Sequence, residues 1–226
     1  DRNLARQMAD AVDYRGPDDE GYFSDRSVTL GHKRLKIIDL SPKGRQPMAN
    51  EDETIQIVFN GEIYNYMEIR PMLEQKGHRF SSDTDTEVII HAYEELGQDC
   101  LKLFNGMFAF ALWDGDRQRL FAARDRLGIK PFYYYCDDEV FLFASEIKAL
   151  LAHPRVRPEL DGRGLQDYLD LQYCLGDKTL FKHVKRLPPG HCLSWEAGRV
   201  SVRSYWDLDF SARVDGSEEE LVERLA

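Results

Sequence analysis

The stretch Ile55-Gln56-Ile57-Val58-Phe59, followed at once by Asn60-Gly61-Glu62-Ile63-Tyr64-Asn65, constrains the fold of this chain more than any other. The apolar run reads as a buried strand. Asn-Gly is the commonest hairpin-turn dipeptide, so a plain hairpin is the simplest continuation. No matching second strand follows, however. A helix-like pattern through Ile69, Met72 and Leu73 runs instead to a stop at Gly77. Strand, polar corner and helix in succession is an arrangement that builds a site. A strand ending in Asn-Gly directs a side-chain amide and an unhindered backbone N–H into one space, where the pair can stabilise a developing oxyanion.

Around this core the chain alternates helices and hairpins. Residues 1–14 predict a short helix with Leu4, Met8 and Val12 on one face. Residues 28–40, with Ile37, Ile38 and Leu40, alternate loosely as a strand entering a site, and Ser41-Pro42-Lys43-Gly44 is a turn. Thr84-Asp85-Thr86-Glu87 fits a capping box opening a helix that carries Val88, Ile89, Tyr93 and Leu96 before Gly97 stops it. Hairpins are predicted around Asp114-Gly115-Asp116-Arg117, Cys136-Asp137-Asp138-Glu139 and Glu196-Ala197-Gly198. Residues 146–151 and 164–173 read as helices, and Ser217-Glu218-Glu219-Glu220 opens another. Antiparallel meanders interleaved with helices place the chain in the α+β class.

Composition narrows the function. With 40 acidic against 30 basic residues the net charge is −10, which disfavours nucleic acid and anionic membranes as partners. No apolar stretch approaches the ~20 residues that span a bilayer. Cys100, Cys136, Cys174 and Cys192 form no Cys-x-x-Cys pair, and the six histidines show no metal-ligand spacing. Reduced thiols in a cytoplasmic protein are the simplest reading. A Walker-type phosphate loop is absent from the sequence.

The hexapeptide Asn60 to Asn65 belongs to a larger set of segments. These are Arg15-Gly16-Pro17-Asp18, Gly31-His32-Lys33-Arg34-Leu35, Phe59 to Asn65, Asp83 to Val88, Gly106 to Asp114, Arg124 to Pro131 and Phe143-Ala144-Ser145-Glu146. Together and in this order they resemble the glutamine-hydrolysing domain of asparagine synthetases, a class II glutamine amidotransferase. The resemblance implies the fold of the N-terminal-nucleophile hydrolases, a four-layer αββα sandwich, over residues 1–210. Residues 211–226 are then a linker and the first helix of a synthetase domain. Because the family's nucleophile is a cysteine at the mature N-terminus and this chain opens Asp1-Arg2-Asn3-Leu4, its start is expected upstream of Asp1.

The resemblance also implies site residues. Asn60 and Gly61 form the oxyanion hole. Arg34 holds the glutamine carboxylate, with backbone contacts from Leu35, Lys36, Ile37 and Ile38. Glu62 and Asp85 hold the amino-acid end, and Arg15 lies near the nucleophile. On the residues alone, Arg34 also reads as part of a solvated basic stretch, and Asp85 as a complement to a helix dipole. The internal cysteines read as structural, with Cys174 buried. Arg124-Asp125-Arg126 and Lys130 are expected to brace a loop through ion pairs, and Ser145-Glu146 to cap the helix that follows.

Three functions fit: the glutaminase half of an asparagine synthetase, inactive here without its cysteine; a non-catalytic glutamine-binding or scaffolding module; or the glutaminase of another class II amidotransferase with a different acceptor. No cofactor is expected in this domain, with ATP and magnesium assigned to the synthetase domain. Glutamine and that domain are the expected partners, and a homodimer is admitted.

Overall fold

The computed structural model describes residues 1–211 and 216–225. Helix α1 (Arg2–Asp10) precedes a hairpin of β1 (Asp19–Ser24) and β2 (Thr29–Arg34). A short β3 (Met48–Ala49) and a long β4 (Ile55–Ile63) lead into helices α2 (Tyr66–Gln75) and α3 (Asp85–Leu96). Two hairpins follow, β5 (Gly106–Asp114) with β6 (Arg119–Arg124), then β7 (Tyr133–Cys136) with β8 (Phe141–Ala144). Helices α4 (Ile147–Leu151) and α5 (Gly162–Leu171), strand β9 (Val184–Arg186), the hairpin β10 (His191–Glu196)–β11 (Arg199–Ser204) and helix α6 (Glu218–Leu225) complete the order.

Strand β5 shows why these elements stack in layers. Successive side chains on a strand leave opposite faces. Phe108, Phe110 and Leu112 therefore join one core, with Ile69 and Leu73 of α2 and Val88, Ile89 and Tyr93 of α3. Ala109, Ala111 and Trp113 join a second core with Leu30 of β2 and Phe132 and Tyr134 around β7. A third, smaller cluster packs Leu150 of α4 and Val184 of β9 with Met8 of α1. The sequence of layers is helices α2 and α3, a six-stranded antiparallel sheet in the order β11-β10-β6-β5-β4-β3, a second sheet layer, and helices α1 and α4. The expected αββα sandwich is present. Its second sheet layer comes in two pieces, β1-β2 and β8-β7-β9.

Several local expectations are corrected. The strand does not end at Asn60-Gly61. It runs on to Ile63, with Asn60 opposite Ala109 and Gly61 opposite Phe108. Gly61 permits this, because a Cβ there would lie 2.2 Å from the Met107 carbonyl oxygen. The corner comes at Tyr64-Asn65, where the Asn65 side chain accepts from Asn105 N–H and donates to the Leu103 carbonyl. The first helix stops at Asp10 rather than continuing to residue 14; a 3-10 turn at Asp13–Arg15 then sets Gly16 against Lys33. Strand β2 stops at Arg34, and residues 35–41 curl into an irregular loop with Asp39 at φ 43°.

The Thr84 capping box forms by half. Thr84 Oγ1 accepts from Glu87 N–H, but the Glu87 carboxylate turns to Ser81 and Ser82. The reciprocal pair forms instead at Ser217 and Glu220. Glu146 occupies the N-cap of α4 without capping it, because its carboxylate is drawn to Tyr14 and Arg15. Arg124 and Asp125 brace their loop, but through the main chain. Arg124 donates to the carbonyls of Gly128, Lys130 and Leu187, while Asp125 accepts N–H groups of Phe108, Leu127, Ile129 and Lys130. The expected linker includes residues 212–215 and 226, which lie outside the described residues.

Candidate active site

Val58 of β4 faces the space between the two sheet layers. Asn60 and Glu62, two and four residues further along, leave the strand on that same face. They open on a cavity of ≈ 560 Å³, whose wall also includes Gly61, Arg34, Asp85 and Arg15. Residues distant in sequence therefore meet at one place, at the size usual for small-molecule sites. Of the loop following Arg34, Leu35, Ile37 and Ile38 line the cavity. Lys36 does not, and its N–H donates to Asp18 Oδ2 at 2.8 Å.

Asn60 is chemically the most telling residue. Its Nδ2 is buried and has no hydrogen-bond partner. Leaving a buried donor unpaired costs about 1–3 kcal/mol. A donor held in that state on a cavity wall is preorganised for an acceptor that arrives from the cavity.

Arg34 is 5% exposed, and its guanidinium donates to the carbonyls of Asp39 at 2.6 Å and Ser41 at 3.0 Å. It thus shapes the loop that frames the cavity. Asp85 begins α3, where Thr84 is the N-cap, and its Oδ2 accepts the Ile63 N–H at 2.9 Å. Burial pushes its carboxyl up to about 6 against the hydrogen bond from Ile63, and the Glu62 charge adds to the rise. Arg15 pairs with Glu146 at 2.9 Å.

Two further cavity residues escaped the sequence reading. His32 Nε2 lies 3.1 Å from the Phe59 carbonyl, and its Nδ1 has no partner. Burial pushes the imidazole down to about 4, more than the Phe59 contact raises it, so the ring is neutral at pH 7. A neutral ring donating from Nε2 presents Nδ1 as a bare acceptor. Gln46 accepts the Phe59 N–H at 2.6 Å and also lines the cavity. Its only sequence signal is a polar residue before a proline, which points to no site.

All four cysteines are free thiols, and none lines the cavity. Cys174 is half-buried rather than buried, with Sγ 3.4 Å from the Gly164 carbonyl. Burial pushes the Cys136 thiol up, and the Asp137 and Asp138 charges push it further. The histidines, which showed no ligand spacing in sequence, do converge in part: His78, His91 and Glu94 place ligand atoms within 4.8 Å of one another. Folding of α2 back onto α3 closes the thirteen-residue gap that hid this pair. No helix of the described residues is long and apolar enough to cross a membrane.

Comparison with known proteins adds to this geometry. Residues 1–206 match the family described as glutamine amidotransferase domain. The chain is 41% identical over 216 residues to asparagine synthetase [glutamine-hydrolyzing] 3 of Bacillus subtilis, covering 94% of this chain and 35% of that protein. It is 40% identical over 218 residues to the amidase chyE of Penicillium rubens, covering 95% and 32% respectively. The chain thus spans about a third of the length of these curated relatives. Among solved structures, glutamine phosphoribosylpyrophosphate amidotransferase from B. subtilis shares the fold, with a TM-score of 0.63 at 15% identity over 90% of this chain and 46% of that one.

Proposed function

Because this chain belongs to the glutamine amidotransferase domain family, we propose that its cavity binds glutamine and, in the full-length protein, hydrolyses it to glutamate and ammonia. The observation that carries this reading is the buried, unpaired Nδ2 of Asn60 beside Gly61 on the cavity wall. Glutamine is anchored at its amino-acid end. Arg34 takes the α-carboxylate, with the backbone of residues 35–38, and Asp85 and Glu62 take the α-ammonium. That orientation leaves the γ-amide towards Asn60 and Gly61.

The nucleophile is a cysteine on a segment that precedes Asp1 in the full-length protein. Strands β2 and β8 each pair on one side only among the described residues, and both contribute residues to the cavity. An extended segment between them would join the two pieces of the second sheet layer. Its thiolate adds to the γ-carbonyl carbon, and Asn60 Nδ2–H and Gly61 N–H hold the resulting oxyanion. Collapse breaks the C–N bond, and the amide nitrogen leaves as ammonia with the proton relayed by the α-amine. Water then cleaves the thioester, giving glutamate and restoring the thiol. None of the four internal thiols takes this part, because none lines the cavity.

The ammonia passes to a synthetase domain elsewhere in the full-length protein, which uses ATP and magnesium to amidate aspartate. A second acceptor reading is favoured by one observation: the amidase relative is as similar in this region as the synthetase relative. The glutaminase half is therefore compatible with a carboxylate other than aspartate. The four free thiols suit a cytoplasmic protein. Ammonia release from glutamine by the full-length protein, with Asp85→Ala as control, tests the site. Saturable release lost in the variant supports the reading; absence of release together with absence of glutamine binding leaves a scaffolding module.

A further inference from the structure

Outside the lining of the candidate active site, His78, His91 and Glu94 meet in a way that salt bridging alone does not require. Glu94 Oε2 lies 2.8 Å from His91 Nδ1 and 3.3 Å from His78 Nδ1. Ligands about 2.0–2.1 Å from a tetrahedral zinc ion stand roughly 3.3 Å from one another. Small rotations of the Glu94 carboxylate therefore open the centre of this triangle to an ion.

The outer nitrogens are arranged as well. His91 Nε2 faces Glu87 Oε1 at 3.8 Å and lacks a hydrogen-bond partner, although the ring is 1% exposed. His78 Nε2 faces Glu95 Oε2 at 3.5 Å. Metal-bound histidines characteristically turn the other ring N–H to a carboxylate, which fixes the ring and raises its basicity. Both rings here have a carboxylate on that side.

The backbone holds the three in place. His91 and Glu94 are one turn apart on α3. His78 follows the left-handed Gly77, at φ 100°, and its N–H bonds the Leu73 carbonyl while Gly77 N–H bonds that of Glu74. That pair of bonds is the Schellman end of α2, so His78 is presented by a fixed turn.

We propose that His78, His91 and Glu94 form a binding site for a divalent transition metal of zinc type, with water completing a four-coordinate shell. Two imidazoles and one carboxylate suit zinc and disfavour magnesium, which prefers oxygen ligands. A bound ion would clamp the end of α2 to α3, the helix whose first residue is Asp85.

The test is titration of chelator-stripped full-length protein with ZnCl2, read by calorimetry and by metal content after desalting, with MgCl2 for comparison. His78→Gln alters a half-buried turn residue, and Glu95→Gln alters a surface carboxylate, so both variants should remain folded by circular dichroism. The site predicts zinc binding that weakens at least about tenfold in H78Q and about tenfold in E95Q, with any magnesium binding unchanged by either substitution. Cobalt substitution should show d–d bands without thiolate charge transfer. Wild-type protein that retains no zinc, or binding unchanged in H78Q, would overturn the proposal. Either result leaves the glutaminase reading untouched, because glutamine binding is measured separately.

Discussion

The Asp85 carboxylate accepts the Ile63 backbone N–H at 2.9 Å, tying the first turn of α3 to the last residue of β4. Because burial raises its carboxyl to about 6, ionising it opposes folding. The folded state holds the proton more tightly than the unfolded chain, so this group lowers stability as pH rises from about 4 through 6. Asp85→Asn keeps an acceptor for Ile63 and removes the charge. It should stabilise the protein near pH 7 by about 1–3 kcal/mol, since each tenfold difference in proton affinity between the folded and unfolded states is worth about 1.4 kcal/mol. Glutamine needs the ionised form, so its affinity should rise with pH through about 6 in wild type and be low and flat in D85N. Denaturant melts and calorimetry across pH 5–8 check both halves.

Asn60→Ala should separate catalysis from stability. Its Nδ2 bonds nothing, so truncation costs little or no folding free energy. Glutamine hydrolysis by the full-length protein should nonetheless fall by about 10²–10³ in kcat, the usual loss for one oxyanion donor. Steady-state kinetics beside a thermal melt give the two numbers.

Gly61→Ala should behave in the opposite way. The added methyl would lie 2.2 Å from the Met107 carbonyl oxygen and 2.7 Å from Phe108 Cα, both backbone atoms of the paired strand. Strands β4 and β5 must part locally, at a cost of about 2–4 kcal/mol. A lowered denaturation midpoint together with lost activity is expected.

Asp125→Ala removes the acceptor of four backbone N–H groups, those of Phe108, Leu127, Ile129 and Lys130. The Phe108 N–H, on a residue 1% exposed, loses its side-chain acceptor, while Leu127 and Ile129 are exposed enough for water to replace theirs. A loss of about 1–3 kcal/mol follows from the one buried donor left unpaired. Urea unfolding of wild type and variant measures it.

The individual elements were legible because they rest on local signals, whereas their order in four layers came from the family resemblance. The apolar run 55–59, the turn at Asp114-Gly115 and the helix signals at Thr84 and Gly97 each state an element without reference to the rest of the chain. The corner after Asn60 was misplaced because the close approach of Met107 to Gly61 is a pairing between strands, which Asn-Gly does not encode. The cavity positions of Arg34, Asn60, Glu62 and Asp85 were accessible through their motifs, whereas Gln46 and His32 face the cavity through contacts with Phe59 that no periodicity shows. Side-chain choices were least legible. Glu87 and Glu146 each had a plausible local capping partner, and each turned to stronger donors brought close by folding.

The central claim is that the cavity presents glutamine to a cysteine preceding Asp1. It is tested most directly by treating the full-length protein with a glutamine analogue bearing an electrophilic γ-diazoketone and mapping the modified residue by mass spectrometry. The account predicts one adduct, on the thiol of an N-terminal cysteine upstream of Asp1, suppressed by excess glutamine. An adduct on Cys100, Cys136, Cys174 or Cys192, or none at all, would contradict it.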